Sequence, residues 1–378
     1  MRIALNTTAL LGPLTGIGQY VHHLAMELAK LDEHELHCYT GYTWSKTPPN
    51  PSTAKINSWA GKIRRRIPFG YDLSRMVQVK GFKRGPSVLD IYHEPNYLAL
   101  PFNGKTVVTV HDFSWLHYPQ YHPKARIKAM ERYFYQAVNQ ASHLLTDSEY
   151  VRQEVIKYLS MPADKVTAIP LGLESDCRPR SIDECQSTLI RQDLNYKEYF
   201  LVVGTLEPRK NLVTILQAYQ NLSPLIRRRY PLIIVGMTGW GDNPFSDRFA
   251  TLFDAGQVRY LGYLPRQELL EVMAAARGLL YPSVYEGFGL PPLEAMGCGV
   301  IPVVSEASSL PEVVDDVGIR LMAEDTDAWT QTMERLSVDS ELLGPEYSAR
   351  LLGRASQFSW QKCALATMGV YQKVLETP

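Results

Sequence analysis

The chain has 378 residues with a formal net charge of zero, and 45% of its residues are hydrophobic while 21% are charged. This length suits two domains of ordinary size, and the composition is typical of a soluble globular protein. No apolar run approaches the roughly 20 residues of a membrane helix, the start lacks the pattern of a signal peptide, and no nucleic-acid partner is expected.

The charge is divided unevenly along the chain. Residues 1–176 contain 20 Lys and Arg against 15 Asp and Glu, whereas residues 177–378 contain 19 against 24. The first half is therefore expected to prefer anionic surroundings. The five cysteines are scattered and include no CxxC pair, so neither a disulfide framework nor a zinc site is indicated. A reducing cytosol is the expected compartment.

The chain opens with a strand, a glycine-containing loop and a helix. Residues 2–6 predict a buried strand, and residues 19–31 carry apolar side chains at helical spacing. This is the opening unit of a doubly wound fold. The Gly16-x-Gly18 pair does not complete a dinucleotide fingerprint, because Val21 stands where the third glycine is needed. A loop that approaches a ligand at the domain interface is the alternative.

A basic segment lies between residues 62 and 84. Apolar and aromatic residues are interleaved with its cations, so the segment is amphipathic. Such a surface can dock on anionic lipid headgroups or on a diphosphate-linked acceptor, and a solvated helix face is the plain alternative. The cations expected to make the contact are Arg64, Arg65, Arg66, Lys80, Lys83 and Arg84.

A polar pair follows the strand predicted at 106–110. His111 and Asp112 come directly after it, where open α/β sheets bind ligands. All nine histidines lie within the first 143 residues, and none has the spacing of a metal site. We therefore expect His111 to form hydrogen bonds or handle protons, with a structural histidine as the alternative.

Strands and helices alternate in both halves. The first half adds a strand at 88–92, a helix at 124–141, a strand at 144–146, a helix capped by Ser148 and a strand at 166–169. The second half adds strands at 199–203, 232–235, 258–261, 279–281 and 300–304, with helices at 212–222, around Phe249, at 266–276 and after Ser309. Two Rossmann-like α/β domains with parallel sheets, facing one another across a cleft, are expected.

The domain boundaries follow from a loss of periodicity. Residues 1–174 form the predicted first domain, and residues 198–358 form the second. Between them, residues 175–197 accumulate charges and are predicted to be a linker.

Residues 285–299, YEGFGLPPLEAMGCG, place two carboxylates on either side of a turn that leads into a helix. Gly287 and Gly289 allow close backbone approach. The amides near Phe288 and Leu290 then form a site for anions and hydroxyl-rich groups at the helix N-terminus. A plain strand-to-helix turn with solvated glutamates is the alternative.

Two cations stand out in the second half. Arg209 and Lys210 lie in the loop that begins at Gly204, beyond the carboxyl end of a predicted strand, where they can hold a diphosphate by charge-assisted hydrogen bonds. Glu294 lies one helical turn into its helix and is suited to accept hydrogen bonds from a ribose, while Glu286 lies nearer the amides. This combination matches a nucleotide-sugar better than a free nucleotide.

The order of these motifs resembles the retaining glycosyltransferases of family 4, which have the GT-B fold. The resemblance covers nearly the whole chain, and its most specific part is the pair Glu286-x7-Glu294 with GFGLPPLEAMGCG. It implies sugar transfer from a nucleoside-diphosphate donor with retention at the anomeric carbon, without a cofactor or a required metal ion. It also implies an acceptor-binding first domain, a donor-binding second domain and a final helix at 359–378 that crosses back onto the first domain.

The resemblance implies a role for each matching position. Arg209 and Lys210 would neutralise the departing diphosphate, while Glu294 would hold the ribose and Glu286 would orient the donor sugar. The further positions implied to contact the donor are Gly16, Gly18, Gly204, Gly287, Phe288, Gly289 and Leu290, with His111 on the sugar and the backbone of Tyr263 and Leu264 at the base.

One position departs from the pattern of the family. Many relatives carry an arginine directly after the glycine that ends the first strand of the second domain, where this chain has Thr205. Arg209 and Lys210 are then the main cationic clamp. No carboxylate beside His111 is an obvious nucleophile, since Asp112 can equally cap a turn, so front-face substitution is favoured.

The resemblance is strongest to bacterial enzymes that build O-antigen and capsular polysaccharides. It implies transfer of α-linked mannose or rhamnose from a GDP-sugar to a lipid-diphosphate-linked glycan at the inner face of the cytoplasmic membrane. A UDP-sugar donor, a nucleotide-sugar epimerase or hydrolase of the same architecture, and an inactive scaffold protein are the alternatives.

Overall fold

The computed structural model describes residues 1–12, 14–50, 70–239 and 247–377, without the side chains of residues 70, 71 and 247. The chain divides into two compact units. The first comprises Met1–Gly172 together with Trp360–Pro378, and the second comprises Leu173–Ser359. Each unit is built on its own β-sheet.

The first unit contains a sheet that is parallel except at one edge. Its elements are β1 (Arg2–Asn6), α1 (Gly16–Leu28), β2 (Glu35–Tyr39), β3 (Trp44–Ser45), α2 (Gly70–Phe82), β4 (Ile91–Glu94), β5 (Lys105–Val110), α3 (Ser114–His117), α4 (Lys124–Gln140), β6 (His143–Thr146), α5 (Glu149–Leu159) and β7 (Val166–Ala168). The strand order is β3-β2-β1-β4-β5-β6-β7, with β3 antiparallel to β2. The chain order reverses between β1 and β4, a point where open α/β sheets form a ligand crevice at the carboxyl ends of their strands.

The second unit contains a sheet in which every described strand pair is parallel. Its elements are α6 (Ile182–Gln192), β8 (Phe200–Val203), α7 (Leu212–Asn221), α8 (Pro224–Arg229), β9 (Leu232–Val235), α9 (Ala250–Asp254), β10 (Val258–Gly262), α10 (Arg266–Ala274), β11 (Gly278–Tyr281), α11 (Leu290–Gly297), β12 (Pro302–Ser305), α12 (Leu310–Val314), β13 (Ile319–Leu321), α13 (Thr326–Val338) and α14 (Pro345–Ala355). The strand order is β10-β9-β8-β11-β12-β13. The reversal lies between β8 and β11, so the loops that leave these two strands are neighbours.

The segment predicted to be a linker is part of the second unit, and that prediction is wrong. Residues 175–197 contain α6, whose start is closed by a capping box between Ser181 and Glu184. Cys185 and Leu189 on α6 are buried in the core of the unit. The charges that suggested a linker lie on the exposed face and ends of this short helix.

The glycines near the start of the chain also lie elsewhere than predicted. Helix α1 begins at Gly16, because Thr15 adopts the extended conformation of a helix N-cap. Gly16 and Gly18 therefore belong to the first turn of α1 and not to the preceding loop. A side chain at Gly18 would meet Leu14, with Cβ 3.1 Å from its Cδ2, so α1 and this loop pack closely here.

Most other predicted elements are present within a few residues of their expected ends. The N-cap at Ser148 is confirmed, since its Oγ accepts a hydrogen bond of 3.2 Å from the Val151 amide. The sequence pattern does not predict the strands β2, β3 and β13 or the helices α3, α8, α13 and α14. Within the part of the chain that the structure describes, every helix is too short or too polar to cross a bilayer.

The last helix, α15 (Trp360–Glu376), belongs to the first unit and is held there by a buried polar chain. The Tyr371 hydroxyl lies 2.6 Å from Nδ1 of His93, and Nε2 of His93 lies 2.8 Å from Oγ1 of Thr109. Burial lowers the pKa of His93 to about 3, so the ring is neutral and needs both partners.

We expect the Tyr371→Phe variant to be less stable in the first unit. The substitution keeps the ring but leaves Nδ1 of His93 unpaired in a buried site, which costs about 1–3 kcal/mol. Urea unfolding followed by circular dichroism measures the change. Tyr135→Phe, on the exposed side of α4, is the matched control and should stay within about 0.5 kcal/mol. Equal losses in both variants would contradict the anchoring role of Tyr371.

Candidate active site

Two loops of the second unit meet at the carboxyl ends of β8 and β11. The first loop runs from Gly204 to a short helical turn at Pro208–Lys210, and the second leaves β11 and enters α11. The amide of Val284 donates a hydrogen bond of 3.0 Å to the carbonyl of Arg209, which joins the two loops directly. Because β8 and β11 are adjacent strands, Arg209 and Glu286 lie in one site although they are 77 positions apart in the sequence.

The predicted cations and the first predicted glutamate form one ion cluster. Nη1 of Arg209 lies 2.8 Å from Oε2 of Glu286, and Nζ of Lys210 lies 2.6 Å from Oε1. Each carboxylate oxygen therefore has its own cation. All three side chains are at least five-sixths buried, so these charges are shielded little by water.

Two further residues complete the cluster, and sequence reasoning missed both. Oε1 of Glu207 accepts a hydrogen bond of 2.6 Å from Nη2 of Arg209. The Tyr281 hydroxyl accepts one of 2.8 Å from Lys210, whose ammonium also lies 4.9 Å from the centroid of the Tyr281 ring. The cations are thus held in place and already balanced by two carboxylates before any ligand binds.

The charges of the cluster set the protonation state of Glu286. Burial alone would raise the pKa of this carboxyl group, but the positive charges of Arg209 and Lys210 outweigh burial and lower its pKa to about 2. Glu286 is therefore ionised across the physiological pH range. It acts as a fixed negative charge and hydrogen-bond acceptor, and it is a poor proton donor or base.

Two serines hold the loop that connects Glu286 to α11. Oγ of Ser308 accepts a hydrogen bond of 2.7 Å from the Glu286 amide, and Oγ of Ser309 donates to the carbonyls of Glu286 and Phe288. Ser309 stands at the N-cap position of α12 as predicted, but among the described residues its side chain makes no capping bond to that helix. Instead it fixes the glutamate loop.

The turn into α11 requires a glycine. Gly289 has φ of 121°, and a Cβ there would lie 2.7 Å from Cδ2 of Leu310. The next residues form the first turn of α11, so Phe288, Gly289 and Leu290 lie at the start of this helix. Amides at a helix start are suited to bind anionic or hydroxyl-rich groups.

Glu294 lies on α11 and has a partner that the sequence did not reveal. Its Oε1 lies 2.7 Å from Nη2 of Arg266, which also lies 2.6 Å from Oε2 of Glu174. Glu294 is 8% exposed at its side chain. The ion pair fixes one oxygen of the carboxylate. The predicted hydrogen bonds from the ribose would then be accepted by the lone pairs that this ion pair leaves unused.

The two residues predicted to meet the nucleotide base follow β10. Tyr263 is 53% exposed, whereas Leu264 is buried in the core of the unit. The predicted contact of Leu264 is through its backbone, and its side chain serves packing. Gly204, at the start of the neighbouring loop, is in close contact with Gly236, where a Cβ would lie 1.8 Å from the Gly204 carbonyl oxygen.

The predicted pair of His111 and Asp112 in the first unit is split. Nδ1 of His111 lies 2.7 Å from Oδ2 of Asp147, and its Nε2 lies 2.7 Å from the Pro95 carbonyl oxygen. Oδ1 of Asp112 instead accepts hydrogen bonds from the amide and hydroxyl of Ser114, which makes it the turn cap anticipated as its alternative role. Asp147 is a site residue that sequence reasoning missed.

Part of the predicted basic surface is described by the structure. Lys80 lies on α2, Lys83 and Arg84 follow it, and all three are exposed. Arg64, Arg65 and Arg66 lie outside the described residues. Among the described residues, no group of three or more His, Cys, Asp and Glu side chains is arranged to hold a metal ion.

Two family models match the chain. Glycosyltransferase Family 4 matches residues 14–176, and Glycosyl transferases group 1 matches residues 188–346. Together they cover most of both units.

Comparison with curated proteins gives relatives over the whole length. The chain is 38% identical over 385 residues to O-antigen chain mannosyltransferase B of Escherichia coli, covering 98% of this chain and all of that protein. It is also 29% identical to the serotype-specific mannosyltransferase WbdA of Escherichia coli, but this match covers 63% of the chain and 29% of that longer protein.

Among solved structures, the fold is similar to the crystal structure of Anabaena Alr3699/HepE in complex with UDP and glucose. The TM-score is 0.73 at 15% identity, covering 99% of this chain and all of that one. The predicted fold class, with two Rossmann-like α/β units of the GT-B type, is confirmed. The chain belongs to glycosyltransferase family 4.

Proposed function

We propose that this glycosyltransferase transfers a mannosyl residue from GDP-mannose to a lipid-diphosphate-linked glycan during synthesis of a lipopolysaccharide O-antigen. Mannose as the transferred sugar, and O-antigen synthesis as the pathway, are proposed on the basis of the full-length similarity to O-antigen chain mannosyltransferase B. The observation that supports a diphosphate donor is the ion cluster of Arg209, Lys210 and Glu286 at the carboxyl ends of β8 and β11. GDP-rhamnose is the second donor to be tested.

In this proposal the cations bind the donor diphosphate. Lys210 donates two hydrogen bonds, to Glu286 and Tyr281. An ammonium has three N–H donors, so it can also donate to a diphosphate while it keeps both contacts. The carboxylates of Glu286 and Glu207 hold both cations in position beforehand. Donors that are fixed in advance stabilise developing charge without a cost of reorganisation during the reaction.

The remaining site residues bind the sugar, the ribose and the base of the donor. The amides of Phe288, Gly289 and Leu290 orient the sugar together with Glu286, and Glu294, held by Arg266, accepts hydrogen bonds from the ribose hydroxyls. The backbone at Tyr263 and Leu264 meets the guanine base.

We propose a front-face substitution that retains the anomeric configuration. The bond between the anomeric carbon and the diphosphate oxygen breaks as the acceptor oxygen forms a new bond on the same face. The acceptor proton passes to the departing diphosphate oxygen. The low pKa of Glu286 fits an electrostatic role better than proton transfer, and the side-chain cations serve in place of a metal ion.

A panel of sugar nucleotides tests the proposed reaction. Purified protein, a lipid-linked glycan acceptor and excess EDTA are incubated with GDP-mannose, GDP-rhamnose or UDP-glucose, and the product is analysed by NMR. We expect α-linked mannose on the acceptor, with unchanged rate in EDTA. Transfer from UDP-glucose but not from GDP-mannose would overturn the donor assignment, and free sugar without acceptor elongation would indicate a hydrolase or epimerase.

The Lys210→Met variant tests the diphosphate clamp. It keeps the length of the side chain but removes the ammonium that stabilises the departing charge, so we expect kcat to fall by about 10²–10³. Lys165→Met, at an exposed position, is the matched control and should keep its activity. A Lys210→Met enzyme with wild-type kcat would show that this cation does not act on the leaving group.

We also propose that the enzyme binds an anionic membrane through α2. Leu73, Met76 and Val77 are 60%, 59% and 44% exposed, and their spacing places them on one stripe of the helix with Lys80. The opposite face is docked, since Arg75 donates hydrogen bonds to the carbonyls of Leu98 and Ala99. An exposed apolar stripe beside cations is typical of helices that lie in a membrane interface.

Vesicle sedimentation tests the membrane contact. In the Leu73→Ser/Met76→Ser variant we expect binding to vesicles with anionic lipid to weaken at least about tenfold, because burying one such side chain contributes about 1.5–3 kcal/mol. The control is Ile190→Ser/Leu225→Ser, which removes two exposed apolar side chains from the second unit. Equal binding by both variants would contradict the proposed surface.

A further inference from the structure

The first unit contains a buried charged pair at the ligand-binding edge of its sheet. His111 follows β5 and Asp147 follows β6, and these strands are neighbours. Their side chains are 7% and 6% exposed, and Nδ1 of His111 lies 2.7 Å from Oδ2 of Asp147. Neither family resemblance nor sequence pattern assigned a role to Asp147.

The partners of the His111 ring decide which of its nitrogens carry protons. The Pro95 carbonyl oxygen, 2.7 Å from Nε2, can only accept a hydrogen bond, so Nε2 carries a proton. Nδ1 faces the Asp147 carboxylate, which is also an acceptor when ionised. With Asp147 ionised, both nitrogens donate, and the ring is an imidazolium that is not available as a base. Burial raises the pKa of Asp147 above its ordinary value, and the charge of His111 and its hydrogen bond oppose that rise.

The ring is also fixed in orientation. The Tyr20 and Tyr97 rings contact it edge-on, with centroids 5.2 Å and 5.6 Å from that of His111 and interplanar angles of 82° and 78°. With two hydrogen bonds and two aromatic contacts, His111 cannot rotate to follow a substrate without breaking this packing.

The charged surroundings favour the protonated ring. Burial alone would lower the pKa of His111, but the Asp147 carboxylate outweighs burial and raises it above its ordinary value, with a smaller contribution from Asp112. Burial keeps the other titratable neighbours uncharged, because it lowers the pKa of His93 and raises those of Tyr20, Tyr97 and Cys363.

We propose that Asp147 is a positioning residue that keeps His111 as a fixed imidazolium, and that sugar transfer uses the charge of His111 and not a proton transfer from it. The inference rests on the proposed function, since it assigns His111 an electrostatic part in that reaction. A buried ion pair contributes little net stability compared with apolar residues of the same size. The His111–Asp147 pair lies at the carboxyl edge of an α/β sheet, which is where such sheets bind their ligands.

The Asp147→Asn variant tests the inference. Its amide oxygen can still accept the hydrogen bond from Nδ1, but the negative charge is gone. We expect the pKa of His111 to fall by about 1–3 units, measured by NMR titration of histidine labelled at Cε1 and assigned with the His111→Gln variant. Because the protonated ring is the active form, activity is lost as pH rises through this pKa. The descending limb of kcat against pH should therefore move to lower pH by the same amount.

The chain offers a matched control. His117 and Glu154 form a second pair in the first unit, also 2.7 Å apart but more exposed, at 23% and 10% of their side chains. Glu154→Gln removes the same charge and should leave the pH profile of kcat unchanged. Thermal melting of both variants separates a loss of folding from a loss of activity.

The outcomes separate the inference from the proposed function. An unchanged pKa of His111 in Asp147→Asn would overturn the inference. So would a lowered pKa with an unchanged pH profile, which would make the pair purely structural while leaving sugar transfer intact. If wild-type protein transferred no sugar, the proposed function would fail and the catalytic part of the inference with it, although the titration would still report the ion pair.

Discussion

The buried contact of Glu286 with Arg209 and Lys210 is the interaction on which the candidate site depends. Removing one partner of such a buried set costs about 3–5 kcal/mol, because the remaining charge loses its compensation. The cluster therefore forms only if the loops after β8 and β11 are side by side, which the strand order of the second unit ensures. The close packing at Gly289 and the hydrogen bonds of Ser308 and Ser309 also hold the glutamate loop in the position that this contact requires.

The ion cluster is balanced in charge without a ligand, which suits the proposed binding of a highly charged donor. The cations would repel one another without the two carboxylates, and the carboxylates would be costly to bury without the cations. In the proposed reaction a diphosphate would add negative charge at donors that are already oriented, so little rearrangement would be needed when charge develops on the leaving group. The first unit uses a related device, since Asp147 holds His111 at the carboxyl edge of its own sheet.

The sequence predicted those structural features that depend on local pattern. Short β-branched runs marked the strands, and the spacing of Glu286 and Glu294 around two glycines marked the glutamate loop. The partners were not predictable, because they are brought together only by tertiary structure. Asp147 lies 36 positions from His111, and Arg266 has no local pattern that links it to Glu294. The linker prediction was wrong for a different reason. The many charges of α6 made its short amphipathic pattern hard to recognise.

A crystal structure of the protein with bound GDP would show directly whether the ion cluster holds the diphosphate. We expect the diphosphate oxygens to lie within hydrogen-bonding distance of Lys210 and Arg209, with both cations still in contact with Glu286. A structure in which the nucleotide is bound with its phosphates away from these side chains would contradict it.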